Sequence, residues 1–305
     1  MDELLRIDLV TPSIYFDSIK LSGALIDAFS KIFGKIETDE MLNSNDFMLK
    51  VTDPFPYFYN KPLFPLPSLA FSFDSNSSLR EKREIMFSRK AHQNFIPLET
   101  LKNLGKNIHS GNFTMNTFEN IMKNSDTNPF TDHYKEIETL GLKEIVIPGL
   151  NLSDENNGVF SKHAMQIVEG YLWIGVKSNN TDFISCFHLL QKTGISGKSS
   201  TGFGVFSIKA VQKGFNEGYT GDGLYLNLMP FIPSEKDMRY IDLKKSYIKI
   251  ENFCGTGKNG KDLGVIKYIS SGSLLYLKGE VTGVIHSPFT ERILNFSGYF
   301  VRIDQ

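Results

Sequence analysis

The stretch 194–204 is the part of the chain whose residue types point most directly to chemistry. It reads Gly-Ile-Ser-Gly-Lys-Ser-Ser-Thr-Gly-Phe-Gly. Glycine allows a close backbone approach and positive φ, so successive N–H groups in such a loop can converge on an anion. A phosphate-binding loop and a plain flexible turn both fit this composition. The candidate contacts are Gly194, Gly197, Lys198, Ser199, Ser200, Thr201, Gly202 and Gly204.

Two nucleotide-binding motifs are excluded for the glycine-rich segments. A Walker loop needs a glycine five residues before Gly197, where Lys192 stands, and it precedes a helix, whereas a strand is expected here. The segment 255–260 spells G-x-G-x-x-G, but a strand over 261–268 follows it, and the dinucleotide motif opens a helix. The segment 255–260 is therefore expected to be a hairpin loop.

A second candidate contact lies near the amino terminus. Ser18, Lys20 and Ser22 lie in the turn that enters the first predicted helix. A serine at such a turn caps free backbone N–H groups, and the same N–H groups can instead hold a phosphate. Both interpretations stay open from the local sequence.

Histidine and cysteine give no metal site and no nucleophilic triad. The six histidines lack metal-ligand spacing, and Cys186 with His188 is too little for zinc. We expect no metal, no cofactor and no catalytic residue. If the chain cleaved RNA without metal, only His163 and His188 would suit a general base. Acids such as Asp237 and Asp242 are expected at the surface.

Composition narrows the class of protein. The chain has 305 residues, which predicts two domains, and its 41% hydrophobic and 22% charged residues exclude a disordered chain, a fibre and a coiled coil. The net charge of −1 gives no general attraction to nucleic acid, although a local basic strip remains compatible with RNA binding. No apolar run suits a membrane span, the early acids are unlike a leader, and two cysteines make no disulfide framework. We expect a cytoplasmic protein.

Hydrophobic periodicity predicts an α+β fold built from two halves. In the first, a strand over 4–10 and a helix over 21–32 ending at Gly34 are followed, after an insertion, by a strand, a helix and a strand over 165–177, 183–192 and 205–211. This order fits a ferredoxin-like (RRM-type) β-α-β-β-α-β unit over 1–213, with the insertion at about 76–158 and the glycine loop after the second helix. The second half, 214–305, is β-rich, and we interpret it as a degenerate copy. Its predicted strands are 224–231, 247–253, 264–268, 273–277 and 299–303.

Two segments inside the first half have unusual composition. Residues 53–73 combine five prolines with many aromatic residues, which predicts an ordered excursion or edge hairpin, buried either in this chain or against another subunit. Residues 80–90 form the strongest basic cluster. A solvated helix face and an RNA contact both fit it.

An ordered set of motifs resembles one family. Leu21 to Leu25 and the residues before them resemble the entry to that family's first helix, the segment 61–67 its proline-rich segment, and 194–204 its G-x-x-G-x-R-S-x-G-x-G loop. The segment 226–233 and the turns at Gly272 and Gly298 are similar to later family features. Ser199 stands where arginine is common, so Lys198 is the only cation of the loop. The sequence resembles the RAMP superfamily of CRISPR proteins, and within it the group-5 subunit of type III-A (Csm) effector complexes.

The resemblance implies a non-catalytic RNA-binding subunit with two ferredoxin-like domains. It would hold the 5′ handle of the crRNA through the glycine loop, with Ser18, Lys20 and Ser22 adding contacts. It would bridge the large polymerase-cyclase subunit to the backbone RAMP subunits, with aromatic residues of 55–73 touching the large subunit and part of 76–165 bending the RNA. The alternatives are a metal-independent endoribonuclease, as some relatives are, and a scaffold that binds no RNA.

Overall fold

A computed structural model describes most of the chain. The described residues are 1–11, 16–44, 46–58, 60–69, 95–111, 113–124, 143–150, 159–166, 171–195, 204–215, 218–256, 262–284 and 293–305. The basic cluster at 80–90 lies outside them, as does about half of the segment 76–165 expected to bend the RNA.

The larger sheet of the described part has the order β5-β4-β3-β8-β1-β9, and β2 also pairs with β8. All of its pairings are antiparallel. Its strands are β1 (Asp2–Leu9), β2 (Leu49–Val51), β3 (Phe55–Phe58), β4 (Lys61–Pro65), β5 (Phe95–Pro97), β8 (Tyr171–Ser178) and β9 (Phe206–Lys213). Strands β6 (Lys143–Leu150) and β7 (Val159–Gln166) form a separate antiparallel pair.

Five α-helices occur in the described part. They are α1 (Ser18–Phe33), α2 (Lys35–Asn43), α3 (Leu98–His109), α4 (Met115–Asn124) and α5 (Phe183–Thr193). Helix α1 ends where expected, because Gly34 has a φ of +100° and donates its N–H to Ser30 O. Helices α1 and α5 pack on one face of the large sheet, with Phe29 and Phe183 5.6 Å apart between ring centroids.

The second half is a smaller antiparallel sheet of order β11-β14-β10-β15, with a hairpin beside it. The sheet strands are β10 (Gly223–Asn227), β11 (Ile241–Tyr247), β14 (Leu274–Leu277) and β15 (Phe300–Arg302), and the hairpin is β12 (Ile250–Thr256) with β13 (Asp262–Ile269). The predicted hairpin at 255–260 is confirmed to the extent that β12 and β13 pair up to Thr256 and Asp262.

The two sheets face each other across a shared core. Leu4 and Trp173 of the large sheet belong to the same buried cluster as Leu226 and Val301 of the small one, and the apolar sides of α3 and α4 complete it. The opposite face of the large sheet carries α1 and α5. The layers therefore run from the helix pair through the large sheet to the small sheet.

Three expectations about local structure were wrong. The run 165–177 is divided between β7 and β8, and β11 was missed. The proline-rich segment is a hairpin, as predicted, but Phe55, Tyr57 and Phe64 are at most 4% exposed and lie in this chain's own core. These three aromatic residues are therefore not available to a large subunit, because the Trp173 indole, which donates to Leu63 O at 2.9 Å, holds the hairpin on the sheet.

Asp237 was also expected at the surface and is buried, with 2% exposure. Its carboxylate accepts the N–H groups of Ser234, Thr282 and Gly283. Burial alone would raise the pKa of Asp237, but these hydrogen bonds outweigh burial and hold it below its ordinary value.

Candidate functional site

The glycine loop has a closed base. Gly194 caps α5 with a φ of +82°, and its N–H donates to Leu190 O at 2.7 Å. The next residue, Ile195, is buried and donates its N–H to Gly204 O at 3.2 Å, while Gly204 has a φ of +72°. Positive φ at both positions favours glycine, because a Cβ is strained there. The hydrogen bond between Ile195 and Gly204 thus holds the two ends of the loop together.

The base of the loop lies at the sheet edge near the start of the first helix. Val10 and Thr11, just after β1, donate their N–H groups to Val205 O at 2.9 and 3.2 Å. The Thr11 hydroxyl accepts the Val205 N–H at 3.0 Å. Helix α1 starts from this end of β1. Helix α5 runs antiparallel to α1, so the last turn of α5 lies at the same edge as the first turn of α1.

The inner part of the loop lies outside the described residues. Gly197, Lys198, Ser199, Ser200, Thr201 and Gly202 all belong to it. Among the loop candidates, the described geometry concerns Gly194 and Gly204 alone. Their contact with a phosphate stays a prediction, and so does that of the six inner residues.

In the first turn of α1, the serines neither cap the helix nor present their hydroxyls to solvent for a phosphate. Helix α1 begins at Ser18, and the residue that caps it is Asp17, whose Oδ1 accepts the Lys20 N–H at 2.8 Å. Ser18 and Ser22 are 0% and 1% exposed, so their hydroxyls lie beneath the surface. Lys20 is exposed, with its ammonium 3.9 Å from Asp17. Of these three candidates, Lys20 is the one whose side chain reaches solvent.

A buried carboxylate fixes this turn against the second half. Asp53 Oδ1 accepts the Ser18 N–H at 2.8 Å, and Oδ2 accepts the hydroxyl of Ser271, between β13 and β14. The Asp53 N–H donates to Leu228 O at 2.9 Å. Burial raises the pKa of Asp53 above its ordinary value, and the hydrogen bonds from Ser271 and Ser18 offset part of this effect. Asp53 therefore positions α1 on the small sheet.

The hairpin of the second half forms a wall beside the same turn. Ile19 of α1 packs in one cluster with Phe253 and Ile266 of the hairpin and with Phe296. The Tyr268 hydroxyl donates to Glu251 Oε2 at 3.1 Å. Burial and the nearby acids, Glu251 first, raise the pKa of Tyr268. Residues 257–261, between β12 and β13, lie outside the described residues.

The electrostatics of the α1 turn limit what it can bind. Two carboxylates, Asp17 and Asp53, already accept the first N–H groups of the helix. A phosphate placed directly on these groups would meet two acids, which is unfavourable. An anion at this edge therefore has to be held chiefly by the glycine loop.

The remaining candidates are scattered. His188 is exposed on α5, with Nδ1 3.1 Å from Gln191 Nε2, whereas the side chain of His163 lies outside the described part. Cys186 is buried, which raises the pKa of its thiol to about 11. No group of three or more His, Cys, Asp or Glu among the described residues is placed to hold a metal ion. Nor is any described helix long and apolar enough to cross a bilayer.

Sequence reasoning missed Asp17 and Asp53. Asp17 stands directly before the first helical residue, which is the position that an N-cap aspartate prefers, so this signal was present. Asp53 gave no local signal, because Ser271 lies 218 residues away in the chain.

Solved structures share this fold. No family model and no curated protein matches the chain. The chain is similar to a chain in the crystal structure of a Csm3–Csm4 subcomplex of the type III-A CRISPR–Cas interference complex, with a TM-score of 0.64 and 13% identity over 99% of both chains. A crystal structure of a Csm1–Csm4 cassette with cA3 gives a TM-score of 0.55 and 11% identity over 100% of this chain and 99% of the other.

A third similarity is to a type III-B assembly. A chain in the cryo-EM structure of Cmr-beta bound to cognate target RNA and AMPPnP matches with a TM-score of 0.51 and 11% identity, over 90% of this chain and 86% of the other. The resemblance predicted from the sequence is thus confirmed at the level of the fold. This chain has the α+β fold found in CRISPR–Cas type III effector structures of the Csm and Cmr kinds.

Proposed function

We propose that the chain is a non-catalytic RNA-binding subunit of a type III CRISPR effector that holds the 5′ handle of the crRNA. The observation that carries the proposal is the match to the Csm3–Csm4 structure over 99% of both chains. The closed base of the glycine loop, at the edge where α1 begins, supports it. Such a base lets the loop interior present its backbone N–H groups while its ends stay fixed.

The strand orders support two ferredoxin-like units. In the larger sheet, the strands that precede and follow α1 and α5 lie in the order β9-β1-β8-β2. In the smaller sheet, the order is β15-β10-β14-β11. When these strands are numbered along their own half of the chain, both sheets have the order fourth, first, third, second. We infer that the second half is a ferredoxin-like unit whose helices have been replaced by irregular connections.

The contacts divide between the two sides of the site. The N–H groups of the loop and the Lys198 ammonium hold handle phosphates, and Lys20 adds a charge from α1. Ser18 and Ser22 act from below the surface by shaping the turn. Contacts to phosphate position a strand, whereas the bases provide specificity.

The proposed protein partners of the chain are inferred from the matched structures. The matched structures contain Csm1–Csm4 and Csm3–Csm4 complexes. We propose that this chain likewise joins a large polymerase-cyclase subunit to backbone RAMP subunits. Because Phe55, Tyr57 and Phe64 are buried, they do not provide this contact, and the other aromatic side chains of 55–73 lie outside the described part.

The test is a binding measurement with repeat-derived RNA. The double variant Lys198→Glu, Gly202→Trp is expected to weaken handle binding at least a hundredfold, since it reverses the cation of the loop and fills its interior. Lys35→Glu, at an exposed position where α2 begins, makes a similar charge change away from the loop and should bind like the wild type. Thermal melts check that the variants fold. Unchanged handle affinity in the double variant would overturn the proposal.

The same RNA distinguishes the two alternatives. Metal-free incubation should leave the RNA intact. Cleavage lost in His163→Ala or His188→Ala would instead indicate an endoribonuclease. Failure of the wild-type protein and its assembled complex to crosslink to handle nucleotides would indicate a scaffold.

A further inference from the structure

A wide bulge interrupts the outer strand of the small sheet. Asp242 is paired with Tyr276 and Tyr247 with Leu274, so residues 243–246 stand opposite the single residue between those partners. The Ser246 hydroxyl closes the bulge, donating to Asp242 O at 2.7 Å and accepting the Tyr276 N–H at 2.9 Å. Bulges re-aim side chains, and this one leaves Lys244 and Lys245 exposed.

An aromatic ring and an imidazole lie beside the bulge. The Lys245 ammonium is 4.5 Å from the centroid of the Tyr276 ring. The ring of His109, in the last turn of α3, lies parallel to Tyr276 at 5.9 Å and an angle of 10°. The three side chains therefore meet where α3 approaches the outer edge of the small sheet, and we call this the outer margin.

A buried carboxylate orients the imidazole. His109 Nδ1 is 3.2 Å from Asp304 Oδ2, and the Asp304 side chain is 2% exposed. Asp304 also accepts the Leu224 N–H at 2.9 Å and the Arg302 Nε–H at 2.7 Å, so its position is fixed. The imidazole is 48% exposed, and its Nε2 has no hydrogen bond to the described residues. This nitrogen can meet a ligand from solvent.

The acids of the outer margin are already engaged. Asp242 is paired with Lys278 at 2.8 Å, and Asp304 is held by Arg302. In the described part, Lys244, Lys245 and Lys106, one turn before His109, have no carboxylate partner. The outer margin thus has an excess of positive charge although the whole chain carries −1.

We propose that the outer margin binds the sugar-phosphate backbone of single-stranded RNA. Phosphates contact Lys244, Lys245 and His109 Nε2. Tyr240, which is 43% exposed and stands directly before the outer strand β11, offers a ring for a base. Aromatic rings among cations favour a nucleic acid over an acidic peptide, because bases stack on them.

The outer margin is separate from the glycine-loop edge. Leu224, at the start of β10, is paired with Tyr276, whereas Leu228, just beyond the other end of β10, accepts the Asp53 N–H. A strand of this length spans about 15 Å. The inference goes beyond the proposed handle contact and does not depend on it.

The test uses a labelled 20-nucleotide oligouridine that lacks repeat sequence. In fluorescence anisotropy, Lys244→Glu with Lys245→Glu should weaken binding about tenfold. The slope of log affinity against log salt should become shallower by about 1.4, since two phosphate contacts on a single strand are lost. Lys31→Glu with Lys35→Glu, an equal change of charge in the last turn of α1 and at the start of α2, should leave affinity unchanged. Tyr240→Ala, which alters no charge, should weaken binding about threefold.

Several results would overturn the proposal. One is that the wild-type protein does not bind oligouridine. The others are that the Lys244→Glu, Lys245→Glu variant keeps its affinity, or that the Lys31→Glu, Lys35→Glu control loses as much affinity as that variant. If RNA affinity persists while a protein partner no longer co-purifies, the outer margin is a protein interface. Thermal melts and the milder pair Lys244→Gln, Lys245→Gln exclude loss of folding. The glycine-loop double variant should lose the handle but keep oligouridine binding, so the two sites can fail separately.

Discussion

The two sheets arrange their strands in one order and cover their outer faces in different ways. On the larger sheet, the connections after β1 and after β8 are the helices α1 and α5. On the smaller sheet, the corresponding connections, after β10 and after β14, contain no α-helix among their described residues. One short 3-10 helix, Asp237–Arg239, is found there.

Different contacts hold each pair of connections together. The helices pack through apolar side chains such as Phe29 and Phe183. In the second half, Asp237 of the first connection accepts the N–H groups of Thr282 and Gly283 in the second. Phe231, in T-shaped contact with Phe300 at 4.9 Å, covers the sheet face.

The difference shows that the same strand order can be held together by two different kinds of connection. Helices satisfy their own backbone groups, whereas an irregular connection needs side chains to do so. A buried carboxylate with several N–H donors fills that role in the second half. In the first half, regular helices satisfy these backbone groups, and the connection after α5 is rich in glycine.

The largest effect should follow from breaking the helix pair. Phe29→Ala removes a ring that is 4% exposed between α1 and α5. We expect the free energy of unfolding to fall by about 4 kcal/mol, because the cavity adds to the lost burial. Urea unfolding measures it. Ile36→Ala, exposed by 72%, is the control, and an equal loss there would contradict the helix-pair argument.

Removing the carboxylate from the second half should have a somewhat smaller effect. Asp237→Ala leaves three N–H groups without their acceptor and should lower the free energy of unfolding by about 3 kcal/mol. Urea unfolding at neutral pH provides the measurement. A loss below about 1 kcal/mol would mean that apolar covering alone holds these connections.

The pH dependence of the same residue has a definite sign. Because the folded pKa of Asp237 is lowered, its stabilisation is present above the unfolded pKa and lost as pH falls through the folded pKa. The stability difference between wild type and Asp237→Asn should therefore shrink from pH 6 to pH 3. A difference independent of pH would contradict the role of the charge.

A third change tests whether α3 supports the helix-poor half. A Cβ on Gly105 would lie 2.2 Å from Ile303 O, so Gly105→Ala must push α3 away from the small sheet. We expect a loss of about 2 kcal/mol in urea unfolding. Gly23→Ala in α1 is the matched control, because its Cβ would meet nothing within 4 Å, and it should stabilise by about 1 kcal/mol.

The smallest effect concerns the carboxylate that joins the halves. The pKa of Asp53 is raised by burial, so its ionisation opposes folding, and stability is lost as pH rises through the folded pKa. Asp53→Asn can still accept the Ser18 N–H and donate to Ser271. It should gain at most about 1 kcal/mol at pH 7, and less at pH 4, in urea unfolding. A loss at pH 7 would show that the negative charge itself is required.

Local patterns in the sequence were sufficient for some of the regular elements and failed for others. The apolar spacing from Leu21 to Ile32 and the stop at Gly34 predicted α1, and the order of elements led to the fold class. The run 165–177 was assigned to one strand although Glu169-Gly170 is a turn signal within it. Strand β11 was missed because its bulge places charged residues where a strand alternates.

The buried acids could not be predicted, because their partners are distant in the sequence. Asp237 is near Thr282 only once both connections lie on the sheet, and Asp53 is near Ser271 only once the halves pack. The glycine loop was singled out from composition, and the structure describes its two ends at Gly194 and Gly204, whereas its contact with a phosphate stays a prediction. Burial of Ser18 and Ser22 depends on that same packing.

Trp173 gives the molecule an optical probe of its own. It is the single tryptophan of the chain, fully buried between the proline-rich hairpin and the small sheet, with Phe55 and Phe64 at 5.3 and 5.1 Å. Its emission should be blue-shifted in the native protein and move to longer wavelength when the hairpin leaves the sheet. Undocking of this hairpin can therefore be followed in real time without a label.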